Sequence, residues 1–362
     1  CDLSRSGLSS LLRTLRAALH VLLVLASLPD LDFIVNTDEY FCVPPSVVTS
    51  LTVPVLVQAQ PPGCGGILMP WWAYMQLDWT KLYASRMQHG RLRRPWSGRE
   101  PVLFWRGSDT GCLLPGGCDQ GLCACSRWTR NTWPSFPRSR LVLSSTLVPD
   151  RIDARYTKDT VHEECEDMYD SLSLRLDEIV PPENHLGYKY LMYIDGNSFS
   201  DRMYWLLLTG SVVFRAESQL NVWLDRGLLP WVHYVPVREN LTDLVDQLDW
   251  AKEHDGQAAA IAEKAARFAG EDISLEGCML YLFLLLRRLA ANFQVHDAIH
   301  NEGGAVSNVV ARAGSVDAAY LDALRASAPE ESLECWAFGY TMEFCCDIDL
   351  FGPGGNSACW DG

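Results

Sequence analysis

The sequence predicts an α/β protein built on an open, doubly wound parallel sheet. Between residues 103 and 291 short apolar strands alternate with longer helical patterns, the rhythm of βαβ units. Two of those strands run into polar, small-residue loops, Arg106-Gly107-Ser108-Asp109-Thr110-Gly111 and Asp195-Gly196-Asn197-Ser198-Phe199-Ser200-Asp201-Arg202. Open α/β sheets bind their ligands at such strand carboxyl ends. With 362 residues, 48% hydrophobic and 21% charged, the chain is long enough for two cores and too apolar for disorder.

The elements follow in order. Leu8, Leu11, Leu12, Leu15 and Leu19 are spaced for an amphipathic helix. The apolar run at 17–28 is interrupted by His20 and is too short to span a bilayer. After Pro29 and Asp30, residues 31–35 read as a short buried strand ended by Asn36-Thr37-Asp38-Glu39. A second strand occupies 51–57, followed by a Pro/Gly loop. Trp71, Trp72, Tyr74, Trp79 and Tyr83 then form an aromatic stretch that suits either a sugar-binding wall or plain core packing. Residues 91–100 are basic and polar, and read as a linker. The strand at 102–105 enters the first glycine-rich loop, and 111–130 reads as a Gly- and Cys-rich irregular insertion. A helix at 139–148, a strand at 152–156, a strand at 188–194, a helix at 203–208 capped by Gly210 and a strand at 211–215 come next. The chain then passes through Trp231-Val232-His233-Tyr234-Val235-Pro236-Val237 to helices at 243–254, 258–269 and 275–291. Residues 334–362 are rich in Cys, Gly and aromatic residues, and read as a small disulfide-held appendix.

The net charge of −15 repels phosphate backbones and argues against nucleic acid as a partner. One local cationic pocket can still hold a diphosphate. Thirteen Cys, clustered at 112, 118, 123 and 125 and again at 335, 345, 346 and 359, fit disulfides in an oxidising compartment. Neither cluster has the paired C-x-x-C knuckles of a structural zinc site.

Three constellations carry candidate chemistry. In the first loop, glycines admit close backbone approach while Ser108 and Thr110 offer hydroxyls to phosphate oxygens; the same residues also make an ordinary turn. The second loop can bind an anion at a helix start with Arg202 as a bidentate cation, or Ser198, Ser200 or Asp201 can simply cap the helix with Arg202 as a surface charge. The third is the carboxylate pair Asp38 and Glu39, able to deprotonate an acceptor hydroxyl or simply to sit solvated in a loop. Asn240-Leu241-Thr242 is an N-glycosylation sequon that also suits a helix cap.

Taken together, these stretches resemble glycosyltransferase family 90, the capsule-associated and lipopolysaccharide-modifying family that includes protein O-glucosyltransferases and fungal xylosyltransferases. The resemblance covers about residues 28–291. It is strongest in "YKYLMYIDGNSFSDRMYWLLLTGSVVFRAES" and "LPWVHYVPVRENLTDLVDQLDW", with "FWRGSDTG", "IDARYT" and "LPDLDFIVNTDEY" in the expected order. It implies a GT-B architecture of two Rossmann-like, doubly wound domains: an acceptor-side domain at 1–92, a donor domain at 93–296, and a linker with the Cys-rich tail at 297–362. It implies an inverting transfer of glucose or xylose from a UDP-sugar to a protein or glycan hydroxyl, with no metal and no other cofactor. Gly107, Ser108, Thr110, Gly196, Asn197, Ser198, Phe199, Ser200 and Arg202 would hold the donor, and residues 231–237 would shape the uridine side. The family's base position, counted three residues past the strand-ending Asn36, falls on Glu39, with Asp38 one earlier. Relatives often carry a Cys just before the "YKYL" strand. Here His185-Leu186-Gly187 stands there, which leaves Cys278 without that partner. The expected location is the endoplasmic reticulum or Golgi lumen, or outside the cell. The reading from another class is a catalytically silent protein of the same fold that binds glycan or protein.

Overall fold

The computed structural model describes residues 14–292 with gaps, chiefly at 20–27, 37–41, 113–117, 124–127 and 159–161. The Cys-rich tail, and Asp38 with Glu39, therefore lie outside the described residues. In chain order the elements are β1 (Ile34–Val35), α1 (Pro45–Val48), β2 (Val55–Val57), β3 (Ala59–Gln60), β4 (Ile67–Leu68) and α2 (Leu77–Arg93). Next come β5 (Glu100–Gly107), β6 (Cys118–Asp119), β7 (Leu122–Cys123), α3 (Pro137–Leu147), β8 (Ile152–Tyr156) and α4 (Glu166–Ser171). They are followed by β9 (Tyr188–Tyr193), α5 (Met203–Leu208), β10 (Val212–Ala216), β11 (Asn221–Val222) and β12 (Val235–Val237). Three helices close the series: α6 (Leu244–Glu253), α7 (Asp255–Glu271) and α8 (Leu275–Asn292).

Five strands form one all-parallel sheet in the order β12-β10-β9-β5-β8. Successive side chains of a strand face opposite ways, and both faces here are apolar. Leu103, Trp105, Tyr190, Met192, Val212 and Phe214 join α3, α6 and the first turns of α7 in one core. Phe104, Leu191, Tyr193 and Val213 join α5, the rest of α7, α8 and N-terminal residues such as Leu56 and Met69 in the other. Strands buried on both faces read as continuous apolar runs, which is why β9 and β10 are visible in sequence. Leu191 is fully buried at the sheet centre, where truncation to Ala costs about 2–5 kcal/mol.

The N-terminal half carries its own parallel sheet, β1-β2-β4. Strand β3 and helix α8 both help tie it to the rest. The antiparallel pair β3–β11 sets Gln60 opposite Asn221. Helix α8 returns to it, with the Tyr281 hydroxyl donating to the Leu68 carbonyl at 3.1 Å. A disulfide, Cys42–Cys64, closes a 22-residue separation around α1 and β2, a constraint worth about 3 kcal/mol in the chain-entropy picture. Among the described residues no helix is long and apolar enough to cross a membrane.

Several expectations need correction. The supposed linker at 91–100 is instead the end of α2, a 3-10 turn at Trp96–Gly98 and the start of β5. Arg99 within it is buried, donating to the Arg94 and Thr209 carbonyls and to Ser211. The helix cap offered by Asn240 does not form: the helix begins at Leu244, close to the expected 243, and Leu241 sits at φ +60°, outside helical space. The insertion at 111–130 contains the β6–β7 ladder, with Cys118 opposite Cys123.

Candidate functional site

In numbers of first appearance the five strands run 2-1-3-4-5, because the chain goes from β5 to β8 on one side and then crosses to β9 on the other. The order reverses between β5 and β9, and such a switch point leaves a crevice at the strands' carboxyl ends. A cavity of about 260 Å³ lies there. It is lined by Ser108 and Thr110 after β5, by Gly196 to Arg202 after β9, by Arg138 of α3, and by Trp71.

The first loop is held by Arg138, which sequence reading missed. Arg138 is 5% exposed. Its guanidinium donates to the Asp195 carbonyl at 2.9 Å, the Ser108 carbonyl at 3.1 Å and the Thr110 hydroxyl at 2.5 Å, so it clamps the two loops together. Arg202 is half-buried and donates to the Arg106 carbonyl. Neither arginine has an ion-pair partner among the described residues. Both guanidiniums stand over Trp105, at 5.7 and 6.0 Å from its ring centre. Burial, and then the positive Arg202 beside it, bring the Arg138 pKa down to about 10. Burial also lowers that of Arg202, with Asp201 pulling the other way. Both remain cationic at neutral pH, at a desolvation cost that an anion between them would repay.

Two glycines permit this approach. A Cβ on Gly196 would sit 2.8 Å from the Arg138 guanidinium and 2.9 Å from the Thr110 hydroxyl. A Cβ on Gly107 would sit 2.6 Å from the Trp105 ring. Gly107 thus lies beneath Arg202 rather than on the cavity wall. The second loop is pinned from below. The Tyr193 hydroxyl accepts from the Ser200 amide at 3.1 Å and donates to the Ser200 carbonyl at 3.2 Å. Asn197 accepts from the Gly111 amide at 3.1 Å. The Ser198 hydroxyl, in a residue only 4% exposed, has no partner. A buried hydroxyl left unmatched is costly, and this one belongs to a residue of the cavity lining.

The opposite wall comes from the N-terminal half. Trp71 follows β4 and meets Phe199 edge-on, ring centres 6.0 Å apart. The Tyr74 hydroxyl donates to the Asp201 carbonyl at 3.2 Å. The aromatic stretch therefore divides: Trp71 lines the cavity, while Tyr74 is core. Because β1, β2 and β4 are parallel, the chain leaves β1 toward Thr37 at the same sheet edge that supplies Trp71.

Two further expectations change. Helix α5 has only six residues, so the loop's own N–H and O–H groups and the arginines, rather than a helix dipole, make the site cationic. None of residues 231–237 lines the cavity. Trp231 is exposed, at φ +62°, and packs edge-on against Trp250 at the amino end of β12. The residues beyond β12 do reach this region. Glu239 lines a smaller adjoining hollow with Asn197, Glu217 and Gln219. No cluster of metal-ligating residues occurs among the described residues. Cys112 is disulfide-bonded, and Cys165 and Cys278 are buried free thiols.

The model of glycosyl transferase family 90 matches residues 119–341, more than half of the chain. The chain belongs to glycosyltransferase family 90. Among curated family relatives, protein O-glucosyltransferase 1 of Rattus norvegicus is 26% identical over 72% of this chain and 62% of its own. O-glucosyltransferase rumi of Drosophila melanogaster is 28% identical over 74% of this chain and 62% of its own. This family member thus spans about 62% of the length of these relatives. Among solved structures, Anabaena HepE in complex with UDP and glucose matches at a TM-score of 0.34 and 12% identity, over 56% of this chain and 52% of that one. A glycosyltransferase from Rickettsia africae matches at 0.36 and 11% identity, over 77% and 94%.

Proposed function

We propose that this chain is an inverting glycosyltransferase that moves glucose or xylose from a UDP-sugar to a hydroxyl of a protein or glycan. The observation that carries this reading is the pair of guanidiniums without ion-pair partners among the described residues at the switch point, beside the unmatched Ser198 hydroxyl. A diphosphate supplies the missing charge. Ser108, Thr110, Ser198 and Ser200 offer hydroxyls to its oxygens, while Arg138 and Arg202 flank it as paired cations. They perform the charge neutralisation that a divalent ion performs in other transferases, so no metal is required. The names of the curated relatives support a protein acceptor and glucose as donor sugar.

In this reading the two halves form a GT-B cleft, with 1–92 on the acceptor side and 93–296 on the donor side. Glu39, or Asp38 beside it, takes the proton from the acceptor hydroxyl as its oxygen attacks C1 in one displacement. UDP departs into the arginine pair. Strand β1 ends on the edge that carries Trp71, and the carboxylates follow it in the sequence. The disulfides suit an oxidising compartment and so support a location in the endoplasmic reticulum or Golgi lumen, or outside the cell.

A thermal-shift series with UDP, UDP-glucose, UDP-xylose and GDP-mannose in EDTA tests the donor site. UDP compounds at about a hundred times Kd should stabilise the fold by ~2.7 kcal/mol, and Arg202→Ala should cut that shift to about half or less. Stabilisation by GDP-mannose alone, or only with a divalent metal, contradicts the proposal. UDP binding without transfer to any acceptor would mark a catalytically silent relative.

A further inference from the structure

The chain has one Asn-X-Ser/Thr sequence, Asn240-Leu241-Thr242, and the transfer chemistry leaves it unused. The fold presents it at the surface. Asn240 and Thr242 are exposed, whereas Leu241 between them is 7% exposed and anchors the turn in the core from a left-handed φ of +60°. The Thr242 hydroxyl and amide both donate to the Asn240 side-chain oxygen, at 2.8 and 3.2 Å. The side-chain oxygen is therefore fixed toward the protein, and the amide nitrogen is left toward solvent. The residue can carry a bulky group without disturbing a buried contact. Cys42–Cys64 and the bonded Cys112 independently indicate the oxidising route on which sequons are modified.

We infer that Asn240 carries an N-linked oligosaccharide. The amide nitrogen forms a C–N bond with the anomeric carbon of a polyisoprenyl-pyrophosphate-linked oligosaccharide. The sugar–phosphate C–O bond breaks, the lipid pyrophosphate leaves with that bond's electrons, and the amide proton passes to solvent. The glycan stands just past the carboxyl end of β12, next to Glu239, which lines the hollow beside the main cavity. On the proposed function, it stands at the Glu239 side of the cleft and leaves the Trp71 side open to an acceptor.

The protein, purified from the cells that naturally make it, is treated with peptide-N-glycosidase, and its tryptic peptides are read by mass spectrometry. The expected result is loss of a glycan mass and conversion of Asn240 to Asp in most molecules. Asn240→Asp and Thr242→Ala abolish the modification, whereas Thr242→Ser retains it. Asn240→Asp keeps the acceptor oxygen for the Thr242 amide, so a side chain that serves the turn alone would show no mass change in any of these variants. An unmodified Asn240, or occupancy in only a minority of molecules while Cys42–Cys64 is formed, overturns the inference. UDP binding is measured on the same samples. Its retention without a glycan would sink the modification and spare the transferase reading, and its loss in a glycosylated sample would do the reverse.

Discussion

The two ends of the five-stranded sheet surround positive charge differently. At the amino edge two cations are ion-paired, and a third, the buried Arg99, is taken up by the Arg94 and Thr209 carbonyls and Ser211. Lys189 pairs with Asp255 at 2.6 Å, with Trp96 donating to the same carboxylate, and Arg151 pairs with Asp249 at 2.7 Å. At the carboxyl edge Arg138 and Arg202 donate only to carbonyl and hydroxyl oxygens among the described residues. Arg138, 5% exposed, is more buried than an unpaired charge ordinarily tolerates. What sets the carboxyl end apart is that its two guanidiniums without ion pairs stand together on the wall of one cavity, and that convergence, more than any single motif, separates a ligand site from a stable surface.

The comparison can be broken in several ways. The largest effect is expected for Glu39→Gln, which should lower turnover about 10²- to 10⁴-fold, the usual worth of a general base, with UDP affinity unchanged. A steady-state assay paired with a binding measurement checks this; an unchanged turnover removes Glu39 from the chemistry and leaves Asp38 to be examined. Next in size is stability. Arg138→Met should cost about 1–3 kcal/mol, because it strips donors from the partly buried Ser108 and Asp195 carbonyls. Arg202→Met, which loses only the Arg106 carbonyl bond, should leave the apo melting temperature unchanged or raised. Equal losses from both would mean that the two arginines serve structure alike. At the opposite edge Lys189→Met should change stability by less than about 1 kcal/mol, since Asp255 is half exposed.

A smaller, pH-dependent effect separates the site from the fold. Asp272, at the α7–α8 junction, is raised to about 7, mainly by burial and then by Glu271. The folded state therefore keeps a proton that the unfolded chain has lost. Its contribution is present below about pH 4 and disappears as pH rises toward 7. Asp272→Asn should flatten this decline in a series of denaturant midpoints. His185 works with the opposite sign. Burial lowers it to about 3, so it costs stability as pH falls below about 6.5.

Much of this was legible in the sequence, and the reasons are local. Strand β8 and helix α5 stand at 152–156 and 203–208 as periodicity indicated, and the two polar loops do meet at one cavity. Helix α2 was hidden because aromatic and basic residues surround it without a clear apolar stripe. Arg138 was hidden because a basic residue in the first turn of a helix looks solvated until tertiary contacts close over it. Cys42 and Cys64 lie outside both cysteine clusters, so spacing carried no sign of their bond. Trp231 was assigned to the cleft by its neighbours in sequence. It sits at the far end of a three-residue strand, and strand direction alone decides which end faces the ligand.

The central claim is tested most directly by titrating UDP calorimetrically, in EDTA, into wild type, Arg202→Met and Lys189→Met. Loss of one charge-assisted contact of about 1.5–3 kcal/mol predicts a roughly 10- to 150-fold weaker Kd for Arg202→Met and an unchanged Kd for Lys189→Met. Equal affinity in all three proteins, or wild-type binding that vanishes in EDTA, would contradict the account.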